Sequence, residues 1–292
     1  MHPFIAIAKT GKNHWWRYVI GLFGIFLHLP VLFYLFLNYL RQLDLPAEVV
    51  NYYANFLYRA SALPVLLLVI RYLHQRPPLT VLTAATRFRW DRMLFAFGVV
   101  LGLSAIVEAI SYLTDPANYY LSLTWRQFIP ALLFGVVFIT GQVLAEEALN
   151  RGYILQAFGV ATKNVPITAL ITILSFAGPH WSNIDGDKTV SMTYFCSFGL
   201  LLVVTTLLDN GVEVSTGIHT ANNVFSMLIV NAPSDSFPAP SVFSTRQLTF
   251  DWLSVLTIWA SYLILLAILT RKYRWRWRQV LSQPQSTVSI RN

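Results

Sequence analysis

Two adjacent carboxylates and an arginine sit inside an apolar run: Ala145 to Tyr153 reads AEEALNRGY within Phe128 to Phe158, a segment otherwise hydrophobic. An ionised side chain near the centre of a bilayer costs at least ~2.5–3.5 kcal/mol, so charge placed there has to be compensated or used. On a helix, residues four apart share a face, which sets Glu147 against Arg151 with the acid on the favoured N-terminal side. The spacing therefore predicts a locally neutralised Glu147. Glu146 points about 100° away and shares its face with Gln142 and Asn150 rather than with a cation, which leaves it free for chemistry.

The rest of the chain agrees with a membrane setting. Of 292 residues, 55% are hydrophobic and 12% charged, whereas charged residues make up roughly a quarter of soluble domains. The protein is read as integral to a lipid bilayer. Its net charge of +8 comes from cations at the ends of apolar spans, which is juxtamembrane anchoring and not a nucleic-acid surface. Cys196 has no cysteine partner, which excludes disulfides and zinc ribbons within one subunit.

Hydropathy and turn signals predict an all-α, polytopic bundle of about eight transmembrane helices. The spans begin near Tyr18, Phe56, Met93, Phe128, Asn164, Val190, Val212 and Trp252. Arg59 is expected to snorkel toward headgroups, and His28, alone in the first span, reads as structural. The fourth span is expected to run as one long helix to Phe158. Asn164 before Pro166 is a helix start, since asparagine caps and proline suits the first turn. Residues 1–17 form a basic N-terminal segment, 18–270 a single membrane-embedded domain, and 271–292 a basic tail, of which 279–292 reads as disordered and Arg271 to Arg278 as an anchor on anionic lipid. Residues 71–92 form a strongly basic connector. Placing this connector and both termini in the cytoplasm satisfies the positive-inside bias, and a bacterial protein of this kind would lie in the cell membrane.

Polar groups recur on two further spans: His180 at the end of the fifth, and His219 with Asn223 one turn along in the seventh. A rise of about 1.5 Å per residue puts Glu146 and His180 at similar depths, with His219 shallower. A carboxylate and an imidazole sharing a water form a general-base unit, and a second imidazole with a carboxamide supplies donors for an oxyanion. Other readings use the same groups: an ion or proton relay in a transporter or channel, a catalytically silent membrane binding or immunity factor, or a zinc site with Glu146, His180 and His219 as ligands. The HExxH signature of zinc proteases is absent, and the metal-free reading is preferred.

In their order, EEALNRG (Glu146 to Gly152), Phe176 to His180 as FxxxH, and His219 to Asn223 as HxxxN resemble the CPBP intramembrane proteases, also called the Abi or CAAX-protease family, which includes the type II CAAX prenyl endopeptidases. The resemblance covers Phe128 to Val230. It implies an eight-helix fold and endopeptidase activity on membrane-associated peptide or lipidated-protein substrates. It also implies Glu146 and His180 as water activators, His219 and Asn223 as oxyanion donors, and Glu147 and Arg151 in support. The chain departs from the family at Asn150, where an aromatic residue is common, and at Gly178-Pro179, which should distort the helix before His180.

Overall fold

The computed structural model describes residues 1–42, 47–123, 125–183, 186–231, 241–247 and 250–278. The disordered stretch expected over 279–292 lies outside them, as does most of the loop expected between the last two spans. The chain is an all-α membrane bundle. After a short α1 (Pro3–Ala6), its helices are α2 (Trp15–Arg41), α3 (Ala47–Ala60), α4 (Ala62–Leu68), α5 (Trp90–Thr114) and α6 (Trp125–Glu147). They continue with α7 (Leu155–Thr162), α8 (Val165–Ala177), α9 (Lys188–Asp209), α10 (Glu213–Val224) and α11 (Trp252–Tyr273).

Among the described residues, five helical segments are long and apolar enough to cross a membrane by themselves: Trp15–Arg41, Tyr53–Leu73, Trp90–Thr114, Lys188–Asp209 and Trp252–Tyr273. They turn large apolar side chains outward, among them Phe23, Tyr34, Leu94, Leu113, Leu253 and Leu263, as a lipid-facing surface requires. The remaining segments of the expected spans are shorter or interrupted, and they carry the polar groups. Such groups are tolerated at membrane depth only when they face the bundle interior.

The central helix is α10, buried from Glu213 through Ala221. Its Ser, Thr and His side chains would make it a poor lipid-facing helix, so it is surrounded by α5, α6 and α9. Gly217 permits the closest approach: a Cβ there would stand 2.1 Å from the Met93 carbonyl oxygen of α5.

Several local expectations hold. The Asn164 side chain caps α8, its Oδ1 accepting from the Ile167 amide at 3.1 Å. The backbone tightens into a 3₁₀ turn over Gly178–Asn183, where Gly178-Pro179 was expected to distort the helix. His28 reaches the Ser61 hydroxyl at 3.2 Å, a structural contact.

Other expectations are corrected. The fourth span is not one α-helix, because Ala148–Ile154 forms a π-helical segment between α6 and α7. A small sheet also forms where only turns and loop were read: β1 (Tyr119–Leu121), β2 (Val230–Asn231) and β3 (Phe243–Thr245) pair in the order β1-β3-β2, β1 antiparallel and β2 parallel to β3.

The basic connector is folded, and two of its five arginines, Arg89 and Arg92, are paired with acids. Arg76 is 1% exposed and donates to Gln156 Oε1 at 2.7 Å. Arg89 grips Glu213 with two bonds, Nε to Oε1 at 2.9 Å and Nη2 to Oε2 at 2.8 Å, the fork geometry of a strong guanidinium–carboxylate pair. Arg89 and Arg92 both pair with Asp209, and Trp275 Nε1 donates to the same carboxylate at 3.2 Å. The tail tryptophan therefore docks inward instead of onto lipid. At the same end of the bundle Phe4 and Ile5 are buried against Tyr153 and Leu155, so the N-terminal segment and the start of the tail share one face of the molecule.

Candidate active site

Three segments converge on the interior of the bundle: the end of α6 with its π turn, the end of α8, and the middle of α10. Glu147 is fully buried and accepts from Arg151 Nη1 at 2.9 Å. This is the expected pairing, retained through the π segment. Arg151 is also fully buried, and its guanidinium lies 4.3 Å from the centre of the Phe176 ring, a cation–π contact that strengthens when both groups are desolvated. Gly152 allows the connector to close over this turn, since a Cβ there would lie 2.2 Å from the Val81 carbonyl oxygen.

His219 meets both glutamates. Its Nδ1 is 2.9 Å from Glu147 Oε1 and its Nε2 is 3.8 Å from Glu146 Oε2. An ionised carboxylate only accepts, so beside the Arg151-paired Glu147 the Nδ1 carries the proton, and Nε2 is left facing Glu146. The expected shallower depth for His219 is thus corrected. The turn before α10 does not lie level with the α7–α8 turn. The connector that packs over Gly152 also bonds to it, with Ala84 N donating to Asn210 O at 2.9 Å and Val212 N to Leu82 O at 2.8 Å, so the start of α10 lies near Gly152 and not at the α7–α8 turn.

Glu146 is about a quarter exposed and is not without a cation: Arg59 Nη1 stands 3.6 Å from its Oε1. Arg59 is therefore an inward-facing neighbour of the site and not a snorkelling residue. No local signal announces this contact, because the pair joins different helices with no periodic spacing between them. Asn150 ties the π turn to α8, its Nδ2 donating to the Glu146 carbonyl at 3.1 Å and its Oδ1 accepting from Ser175 Oγ at 3.1 Å. An aromatic residue at that position could not make this bridge.

His180 sits in the 3₁₀ turn after α8. Its Nδ1 donates to the Phe176 carbonyl at 2.8 Å, and its ring stacks on Phe195 with centroids 4.3 Å apart. Because a carbonyl only accepts, this bond fixes the tautomer and leaves Nε2 as the basic nitrogen. The imidazole is close enough to Glu146 and His219 to interact electrostatically with both. Phe176 and Phe198 set their rings edge-on to His219 at 5.6 and 5.4 Å, so aromatic packing holds both imidazoles. Asn223 follows His219 by one turn of α10 and is half-buried; its Oδ1 accepts from Asn222 Nδ2 at 3.2 Å, which directs its own Nδ2 elsewhere as a donor.

Among the described residues no three His, Cys, Asp or Glu side chains are grouped to hold an ion. Nδ1 of His219 is taken by Glu147 and Nδ1 of His180 by the Phe176 carbonyl, which leaves Nε2 of each imidazole and Glu146 as the groups that would face an ion.

An ordered EExxxR turn, FxxxH and HxxxN on three packed segments is a family arrangement as much as a local one. Residues 128–225 match the family of type II CAAX prenyl endopeptidase Rce1-like proteins. The Rce1-like stretch runs from within α6 into the end of α10 and contains Glu146, Glu147, Arg151, His180, His219 and Asn223. An uncharacterised protein of Bacillus subtilis (strain 168), YyaK, is 29% identical over 279 residues, covering 88% of this chain and 92% of the relative. No solved structure matches the chain.

Proposed function

We propose that the protein is an intramembrane endopeptidase in which Glu146, assisted by His180 and His219, activates water for attack on a peptide bond. The observation carrying this reading is the placement of His219, with Nδ1 bonded to Glu147 and Nε2 turned to Glu146 across 3.8 Å. That separation is too long for a hydrogen bond and is suited to a water held between the two groups. Glu146 takes the water's proton as the oxygen attacks the carbonyl carbon. Glu146 hands this proton across to His219 Nε2, so that Nε2 donates to the oxyanion together with Asn223 Nδ2. The proton then passes to the departing nitrogen as the C–N bond breaks. Glu147 and Arg151 hold His219 in register. No metal is needed for these steps.

The substrate class follows the Rce1-like match: peptide bonds of membrane-associated proteins, including those C-terminal to a lipidated cysteine. The bundle end that carries the N-terminus, the connector and the tail faces the cytoplasm on this reading, as its cations require. The test is cleavage of a membrane-peptide library by the purified protein in proteoliposomes made in ¹⁸O-water, with a chelator present. The reading expects one ¹⁸O in each new C-terminal carboxylate. Ion flux without cleavage would instead assign the polar groups to a relay.

A further inference from the structure

A half-open cavity lies on the face of α10 that carries Ile218 and Asn222. It holds about 680 Å³ between α5, α10 and α11, and Thr245 of β3 also lines it. This is within the ~300–1,000 Å³ typical of sites for small ligands. Its wall is graded along the helix axes. Toward the C-terminal end of α5 and the N-terminal end of α11 it is lined by Glu108, Asp115 and Asp251, and in its depth by apolar groups such as Val100, Leu103 and Leu265.

Two further observations point to an occupant. Tyr262 and Thr245 both line the cavity, and the hydroxyl of each is buried with no hydrogen-bond partner among the described residues; Thr245 is only 8% exposed. Buried hydroxyls are ordinarily satisfied, and one left without a partner is costly. The second is charge. In a chain of net charge +8, the described lining holds three acids and no Lys or Arg. Arg246, next to Thr245, is exposed and engaged with the Ala117 carbonyl and the Tyr120 ring. Glu108 Oε1 takes the Tyr119 hydroxyl at 2.6 Å, which leaves Oε2 available.

We propose that this cavity binds an amphiphile with an ammonium headgroup on a hydrocarbon chain, the headgroup among Glu108, Asp115 and Asp251 and the chain against the apolar depth. The cavity adjoins the proposed hydrolytic centre at two places: Asn222 lines it and donates to Asn223, and Phe198 lines it and packs edge-on against His219.

The test uses the full chain in maltoside micelles with two photoactivatable probes of equal chain length, an alkyltrimethylammonium and an alkyl sulfate. The ammonium probe should label peptides spanning 100–111 and 253–265 about fivefold more than the sulfate, the discrimination expected of partly exposed charge contacts. Glu108→Gln should erase that preference. Ser261→Trp, which fills the cavity, should reduce labelling by both probes about tenfold through lost apolar contact. Should Ser261→Trp fail to fold, the near-isosteric Glu108→Gln decides alone. Competition by added phosphatidylethanolamine would identify a membrane lipid as the occupant, and displacement only by a soluble alkylammonium would identify a free amphiphile. Equal labelling by the two probes, or a preference untouched by Glu108→Gln, would overturn the proposal.

Discussion

His219 is bonded to Glu147, not to Glu146: the 2.9 Å contact goes to the carboxylate that Arg151 already neutralises, and the other ring nitrogen is left 3.8 Å from Glu146. Glu147 is thus the anchor of a buried acid–guanidinium–imidazole unit. Glu147→Gln should destabilise the protein by about 3–5 kcal/mol, because it leaves Arg151 charged in a dry interior. A lowered melting temperature together with lost cleavage is expected in detergent; an unchanged melting temperature would mean that Arg151 finds another counterion.

Gly217 sets the distance between α10 and α5, two residues before His219. Gly217→Ala places a methyl carbon where the Met93 carbonyl now lies, 2.1 Å from the position of its Cβ, and overpacking of this kind costs about 1–3 kcal/mol. Thermal unfolding should show this loss, and cleavage should fall further as His219 is carried away from Glu146. Wild-type activity and stability would show that the helices part without disturbing the site.

Stability should also depend on pH through histidines outside the membrane-spanning segments. Burial lowers the pKa of both His2 and His74 to about 4. Neutral His74 is fully used, its Nδ1 donating to the Lys12 carbonyl and its Nε2 accepting from the Tyr153 hydroxyl, both at 2.8 Å. Between the ordinary value of 6.5 and about 4 the unfolded chain binds more protons than the folded one, so stability is full above pH 6.5 and declines as pH falls toward 4. Melting temperatures at pH 7.5, 6 and 5 should drop in that order, with a shallower slope in a His2→Gln/His74→Gln variant. Parallel slopes would place the acid sensitivity elsewhere.

The sequence was informative where local rules act. Asn164 announced its cap, the Gly178-Pro179 pair announced the distortion before His180, and the four-residue spacing of Glu147 and Arg151 announced their ion pair. The bond from His219 to Glu147, the approach of Arg59 to Glu146 and the clamp of Arg89, Arg92 and Trp275 on Asp209 join residues distant in the chain. No periodicity encodes such pairs. The π turn escaped for another reason: Ala148 to Ile154 carries no local signal that separates a π turn from an α-helix, and the connector packed over its Gly152 comes from far along the chain. The strand Tyr119–Leu121 is too short to rise above a turn signal, and its partner Phe243–Thr245 lies far along the chain.

The account turns on Glu146 acting as the base while Glu147 holds the frame. The most direct measurement is cleavage in proteoliposomes by Glu146→Gln beside wild type, with melting temperatures recorded on the same preparations. Because Glu146 is partly exposed and its pairing with Arg59 spans 3.6 Å, the substitution should leave the melting temperature close to wild type. Turnover should fall by about 10²–10⁴, the range for removing a general base. A Glu146→Gln protein that melts normally and cleaves at the wild-type rate would contradict the assignment of the base.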